Sequence, residues 1–88
     1  MATYQVSYDL IAPGRNYQGL YDRLRQYPNW AKVTESNWIV VTGWTAAQIR
    51  DDLRVHLDAN DRIFVLKSGI EAAWSNTICD NNWLRENL

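Results

Sequence analysis

Tyr4, Val6, Tyr8 and Leu10 alternate with Gln5, Ser7 and Asp9, the period of a half-buried β-strand. The pattern predicts a first strand over Thr3–Leu10. Ile11 to Arg15 reads as loop, broken by Pro13-Gly14, with Asn16 as the N-cap of a helix. Tyr17, Leu20, Tyr21 and Leu24 then share one helical face, and Arg23 and Arg25 lie off it. Tyr27-Pro28-Asn29 stops the helix, because proline disfavours helical geometry in the residue before it. Trp30–Thr34 and Trp38–Thr42 flank the polar turn Glu35-Ser36-Asn37, a hairpin signal. The second of these runs is apolar on both faces and predicts an inner strand. Thr45-Ala46-Ala47-Gln48 is a capping box. It opens a helix whose buried side carries Ala46, Ile49, Leu53 and Leu57, while Arg50, Asp51, Asp52, Arg54 and Asp58 face water. Arg62–Lys67 is another strand apolar on both faces.

The order β-α-β-β-α-β predicts an α+β fold, a ferredoxin-like sandwich with two helices on one face of an antiparallel sheet. Ile39, Val41, Phe64 and Leu66 then point to the face that Val40 and Val65 do not. That second apolar face needs a cover: the tail from Gly69 to Leu88, a second subunit, or both. Within the tail, Asp80-Asn81-Asn82 precedes a short helix with Trp83, Leu84 and Leu88 on its apolar side. The expected organisation is a single domain over residues 1–88, with 69–88 as a C-terminal extension packing on the sheet or on a partner.

Composition sharpens this picture in two ways. Five Trp and five Tyr in 88 residues are a heavy aromatic load. A domain this small buries roughly 60–65% of its unfolded surface, and each aromatic buries about 150–250 Å². The surplus predicts a homodimer interface or a binding surface. The net charge of −1, from nine basic and ten acidic residues, is not that of a dedicated nucleic-acid binder. Cys79 is the single cysteine, which excludes an internal disulfide and a cysteine zinc cluster and fits a reducing cytoplasm. No signal peptide pattern is visible and no apolar run approaches the roughly 20 residues of a membrane span, so no membrane partner is expected.

Asp9 is the leading chemical candidate, a carboxylate at the exit of a strand. Two readings stand. It caps the following loop by accepting backbone N–H bonds, or it holds a divalent metal with help from a second carboxylate or a phosphate. A two-fold axis near Asp9 would supply that second carboxylate from another copy. His56, the single histidine, lies near the end of the second helix, where a dipole or surface role suffices. Arg15, Arg23, Arg25 and Lys32 crowd the first helix among Tyr17, Tyr21, Tyr27 and Trp30. They form either a phosphate-binding surface or a solvated helix face above a tyrosine-lined core.

Tyr8-Asp9-Leu10, Pro13-Gly14, Asn16-Tyr17, Trp38-Ile39-Val40, Thr45-Ala46, Ile49-Arg50-Asp51, His56 to Asp61 and the terminal Trp83-Leu84 resemble a group of small bacterial proteins labelled SinR-like. The label implies no established activity, and no transcription-regulator role is read from it. Tyr8-Asp9-Leu10 and the element order also resemble, remotely, the CRISPR-associated Cas-two and virulence-associated protein D families. That resemblance implies a ferredoxin-like homodimer that cleaves or holds RNA or DNA. It implies Asp9 as catalytic and metal-binding residue with Mg²⁺ or Mn²⁺. Arg15 and Arg23 are the candidate phosphate-binding residues, and Ser7 would orient the site. The competing expectation is a non-catalytic homodimeric interaction module.

Overall fold

The computed structural model describes residues 1–11, 16–69 and 71–88. The elements are β1 (Ala2–Asp9), α1 (Gln18–Leu24), β2 (Asn29–Thr34), β3 (Asn37–Thr42), α2 (Ala46–Arg54), β4 (Arg62–Lys67) and α3 (Asn81–Asn87). The four strands form one antiparallel sheet in the order β2-β3-β1-β4. The structure is therefore α+β, with the first and third strands inside and the second and fourth at the edges.

Register explains the core. Val6 of β1 stands between Trp38 of β3 and Val65 of β4, and Tyr4 stands beside Val40. These side chains share one face and pack with Leu20 and Leu24 of α1 and Ile49 and Leu53 of α2. A strand buries every second residue and a helix every third or fourth; the two periods meet here. The capping box forms as its residues predict: the Thr45 hydroxyl accepts from the Gln48 amide at 3.2 Å, and the Gln48 side chain accepts from the Thr45 amide at 2.8 Å. The N-cap of α1 is Tyr17, without a side-chain cap bond, and not Asn16 as the pattern predicts; Asn16 lies one residue earlier and accepts from the Gln18 amide at 2.9 Å.

The opposite face carries Gln5 and Ser7 of β1, Asn37 and Ile39 of β3, and Phe64 and Leu66 of β4. The tail covers the β2–β3 half of it. Asp80 caps α3 by accepting from the Asn82 amide at 2.9 Å. Leu84 is fully buried, and Ala31 and Ile39 are buried beside it on this face. Trp83 Nε1 donates to Asn29 at 2.9 Å, Thr3 donates to the Asn87 carbonyl at 3.0 Å, and the Ile78 amide donates to Val33 of the β2 edge at 2.9 Å. The β4 half is open: Phe64 is 62% exposed and Leu66 51%. β4 thus differs from the fully covered strand that its two apolar faces suggest. It lies at the sheet edge, where Leu66 shares a cavity with Trp74, Leu84 and Leu88 of the tail but stays half exposed.

Candidate functional site

Asp9 ends β1 on the face away from the helices, in register with Arg62 at the start of β4. Arg62 Nη1 lies 3.6 Å from Asp9 Oδ2, and the two side chains are 72% and 65% exposed. An ion pair this open contributes about 0–1 kcal/mol. The pair borders a shallow depression of about 530 Å³ whose rim includes Ser7, Ser36, Asn37 and Phe64. The wall beside it is stiff. Asn37 accepts from the Ser7 hydroxyl, and from Gln5 Nε2 at 3.0 Å, while its own amide nitrogen donates to Thr34 at 2.8 Å. The Tyr8 amide donates to the Ser36 carbonyl at 3.1 Å. On the buried side, Trp38 Nε1 donates to the Tyr8 hydroxyl at 2.8 Å. Burial first, and its charged neighbours to a smaller extent, raise the Tyr8 phenol above its ordinary value, against the opposing hydrogen bond from Trp38. The strand end that presents Asp9 is therefore fixed from both sides of the sheet.

Ile11 and Tyr17, on either side of residues 12–15, bond to a different carboxylate. Asp61 accepts from the Ile11 amide at 2.7 Å, from the Tyr17 hydroxyl at 2.7 and 2.9 Å, and from the Asp58 amide at 2.8 Å. In sequence Asp61 belongs to a polar turn, Asp58 to Asp61, and nothing local marks it as the partner of Ile11, 50 residues earlier. Asp9 makes no hydrogen bond among the described residues.

Arg23 lies on the helix side of the sheet. Its Nε donates to Asp52 at 2.8 Å, Asp52 also accepts from the Tyr27 hydroxyl at 2.9 Å, and the guanidinium stacks over Tyr27 and Trp44 at 5.5 and 5.8 Å. Asp52 thus points inward, not to water as the helix pattern suggests. The hydrogen bond to Asp52 raises the Arg23 pKa. Arg15 and the Pro13-Gly14 break lie outside the described residues. Arg25 and Lys32 sit over the core rings Trp38 and Tyr21 at 5.6 and 5.9 Å, so these two cations shield the aromatic cluster at the edge of the core. No protein-family model matches the chain, and no solved structure matches it.

His56 is half-buried against α1, where a Cβ on Gly19 would lie 3.2 Å from its Nδ1. Glycine at that position permits the close approach. Cys79 is half-buried with Sγ 3.9 Å from the Thr77 hydroxyl. Among the described residues no three His, Cys, Asp or Glu side chains are grouped to hold a metal. Within one chain Asp9 therefore offers a single anionic ligand. That fits a hard cation only where a second carboxylate or phosphate oxygens join it. No described helix is long and apolar enough to cross a membrane.

Proposed function

We propose that this chain is a homodimeric, metal-dependent phosphodiesterase acting on RNA or DNA, built on a ferredoxin-like scaffold of the Cas-two and virulence-associated protein D type and working in the cytoplasm. The strand order β2-β3-β1-β4, with a helix following each of β1 and β3, supports the scaffold. One observation carries the chemistry. The Asp9 carboxylate is exposed at a strand end, while the Ile11 amide that follows it donates to Asp61 and not to Asp9. This supports reading Asp9 as free for a chemical role.

The open β4 half of the sheet, with Phe64 and Leu66, is the surface through which a second copy docks and brings its own Asp9 near the first. Asp9 from each copy would hold Mg²⁺ or Mn²⁺ together with phosphate oxygens of the substrate. Such an ion supplies Lewis acidity at the phosphoryl group and lowers the pKa of water. Asp9 orients the cation, and the fixed Ser7–Asn37 wall sets the strand end against which substrate lies.

Purified protein incubated with RNA and with DNA, with and without Mn²⁺, tests this reading. Cleavage requires the metal, and Asp9→Asn abolishes it while the dimer stays folded. An Asp9→Asn variant as active as the wild type overturns the mechanism. The exposed Phe64 and Leu66 side chains favour a second reading, a non-catalytic homodimeric interaction module. That reading predicts a dimer with no cleavage under any metal condition.

A further inference from the structure

We infer that Arg62 is the phosphate-binding residue of the Asp9 site and that Asp9 holds its guanidinium until substrate arrives. The inference rests on reading the depression between β1 and β4 as a phosphodiester site. Three features of the molecule carry it. First, Arg62 forms no hydrogen bond among the described residues; its approach to Asp9, at 3.6 Å, is longer than a hydrogen bond. An arginine carries five N–H donors in a planar fork that matches a phosphate, and here that fork is turned to solvent. Second, the contrast with Arg23 is sharp. Arg23 donates to Asp52 and Gln26 and lies against two aromatic rings on the other side of the sheet. Third, register places Arg62 directly across from Asp9, so a phosphate on the fork has one oxygen directed toward the carboxylate that would hold the cation.

The same geometry explains why the pair forms without substrate. In a dimer two Asp9 carboxylates would repel, and an exposed guanidinium beside each lowers that repulsion. The contact is exposed and easily opened. A phosphate competes for the fork, and its arrival frees the Asp9 carboxylate, which could then serve as a ligand to a cation. Arg62 thus couples occupancy by substrate to the availability of the carboxylate.

Metal-free binding separates this role from catalysis. The full chain is titrated in EDTA into fluorescein-labelled oligouridylate and oligodeoxythymidylate across a salt series, read by anisotropy. Arg62→Ala weakens binding roughly fivefold at low salt and reduces the salt slope by about one. Arg62→Lys keeps the slope, because the charge remains, while losing part of the affinity. Asp9→Asn tightens metal-free binding, because the fork is no longer held. Arg54→Ala removes a comparably exposed arginine from α2 and leaves affinity unchanged. Unchanged affinity and slope in Arg62→Ala, an equal loss in Arg54→Ala, or no binding by the wild type overturns the inference. None of these results depends on Mn²⁺-dependent cleavage. A wild type that binds through Arg62 yet never cleaves overturns the nuclease reading and leaves the clamp in place.

Discussion

The two faces of the sheet are finished in different ways. The helix face is closed by elements whose periodicity matches its own, and its core side chains, from Val6 and Val40 to Ile49 and Leu53, are fully buried. The other face is closed only where the tail lies, over β2 and β3, and is open at β4. The closed face has its ionisable groups matched inside the chain, as with Asp52, Arg23 and Tyr27. The open face keeps Asp9, Arg62, Phe64 and Leu66 available. Burial is concentrated on one side of the sheet, and exposed charged and apolar side chains stand on the other.

Leu53→Ala tests the closed face most severely. It leaves a cavity under α2 and lowers unfolding free energy by about 2–5 kcal/mol, read by urea denaturation. Leu84→Ala follows closely, at about 2–4 kcal/mol. It should also loosen the tail selectively, seen as faster hydrogen exchange at the Ile78 amide, which donates to Val33. Equal exchange in variant and wild type would show that the tail is held by its polar contacts alone.

Tyr27→Phe removes the hydrogen bond to Asp52 and lowers stability by about 1 kcal/mol. Its pH behaviour is more specific. Burial first, then Asp52, holds the Tyr27 phenol well above its ordinary value of 10.0 in the folded chain. The stability that this shift represents is complete below pH 10, where the unfolded tyrosine is also neutral. It is lost as pH rises beyond that point, because the unfolded phenol ionises first. The wild type therefore weakens above pH 10, and Tyr27→Phe weakens less steeply. Identical alkaline slopes would remove Tyr27 from the account, leaving Tyr8, which burial also raises.

Phe64→Ser on the open face has the smallest effect on the folded monomer, under about 0.5 kcal/mol. Under the proposed dimer its consequence is on association: the variant is expected to sediment as a monomer at concentrations where the wild type associates. A dimer unaffected by Phe64→Ser would move the interface away from the β4 half.

Much of this architecture is legible in local pattern. The alternation in Tyr4–Tyr8 marks β1 and the side on which its core residues lie. The Thr45–Gln48 capping box marks the start of α2 to the residue. The two-faced run 38–42 marks β3 as an inner strand. The same logic misleads at β4, since its apolar residues suit either a covered strand or a surface awaiting a partner, and only strand order separates the two. It also misses Asp61 and Asp52. Each belongs to a short polar stretch that looks like turn or solvated helix, and each acquires its role from residues 25 to 50 positions away.

For the candidate site, sequence by itself determined that Asp9 stands at a strand exit. That follows from period-two alternation, a short-range property. It also showed that Cys79 has no neighbouring His or Lys along the chain. Tertiary structure alone decided the rest. It paired Asp9 with Arg62, bonded Ile11 and Tyr17 to Asp61, set Arg23 against Asp52 on the far side of the sheet, and left β4 uncovered. Those outcomes depend on which strands become neighbours and on where the tail packs. Both are set by burying one shared core, not by the residues on either side of each position.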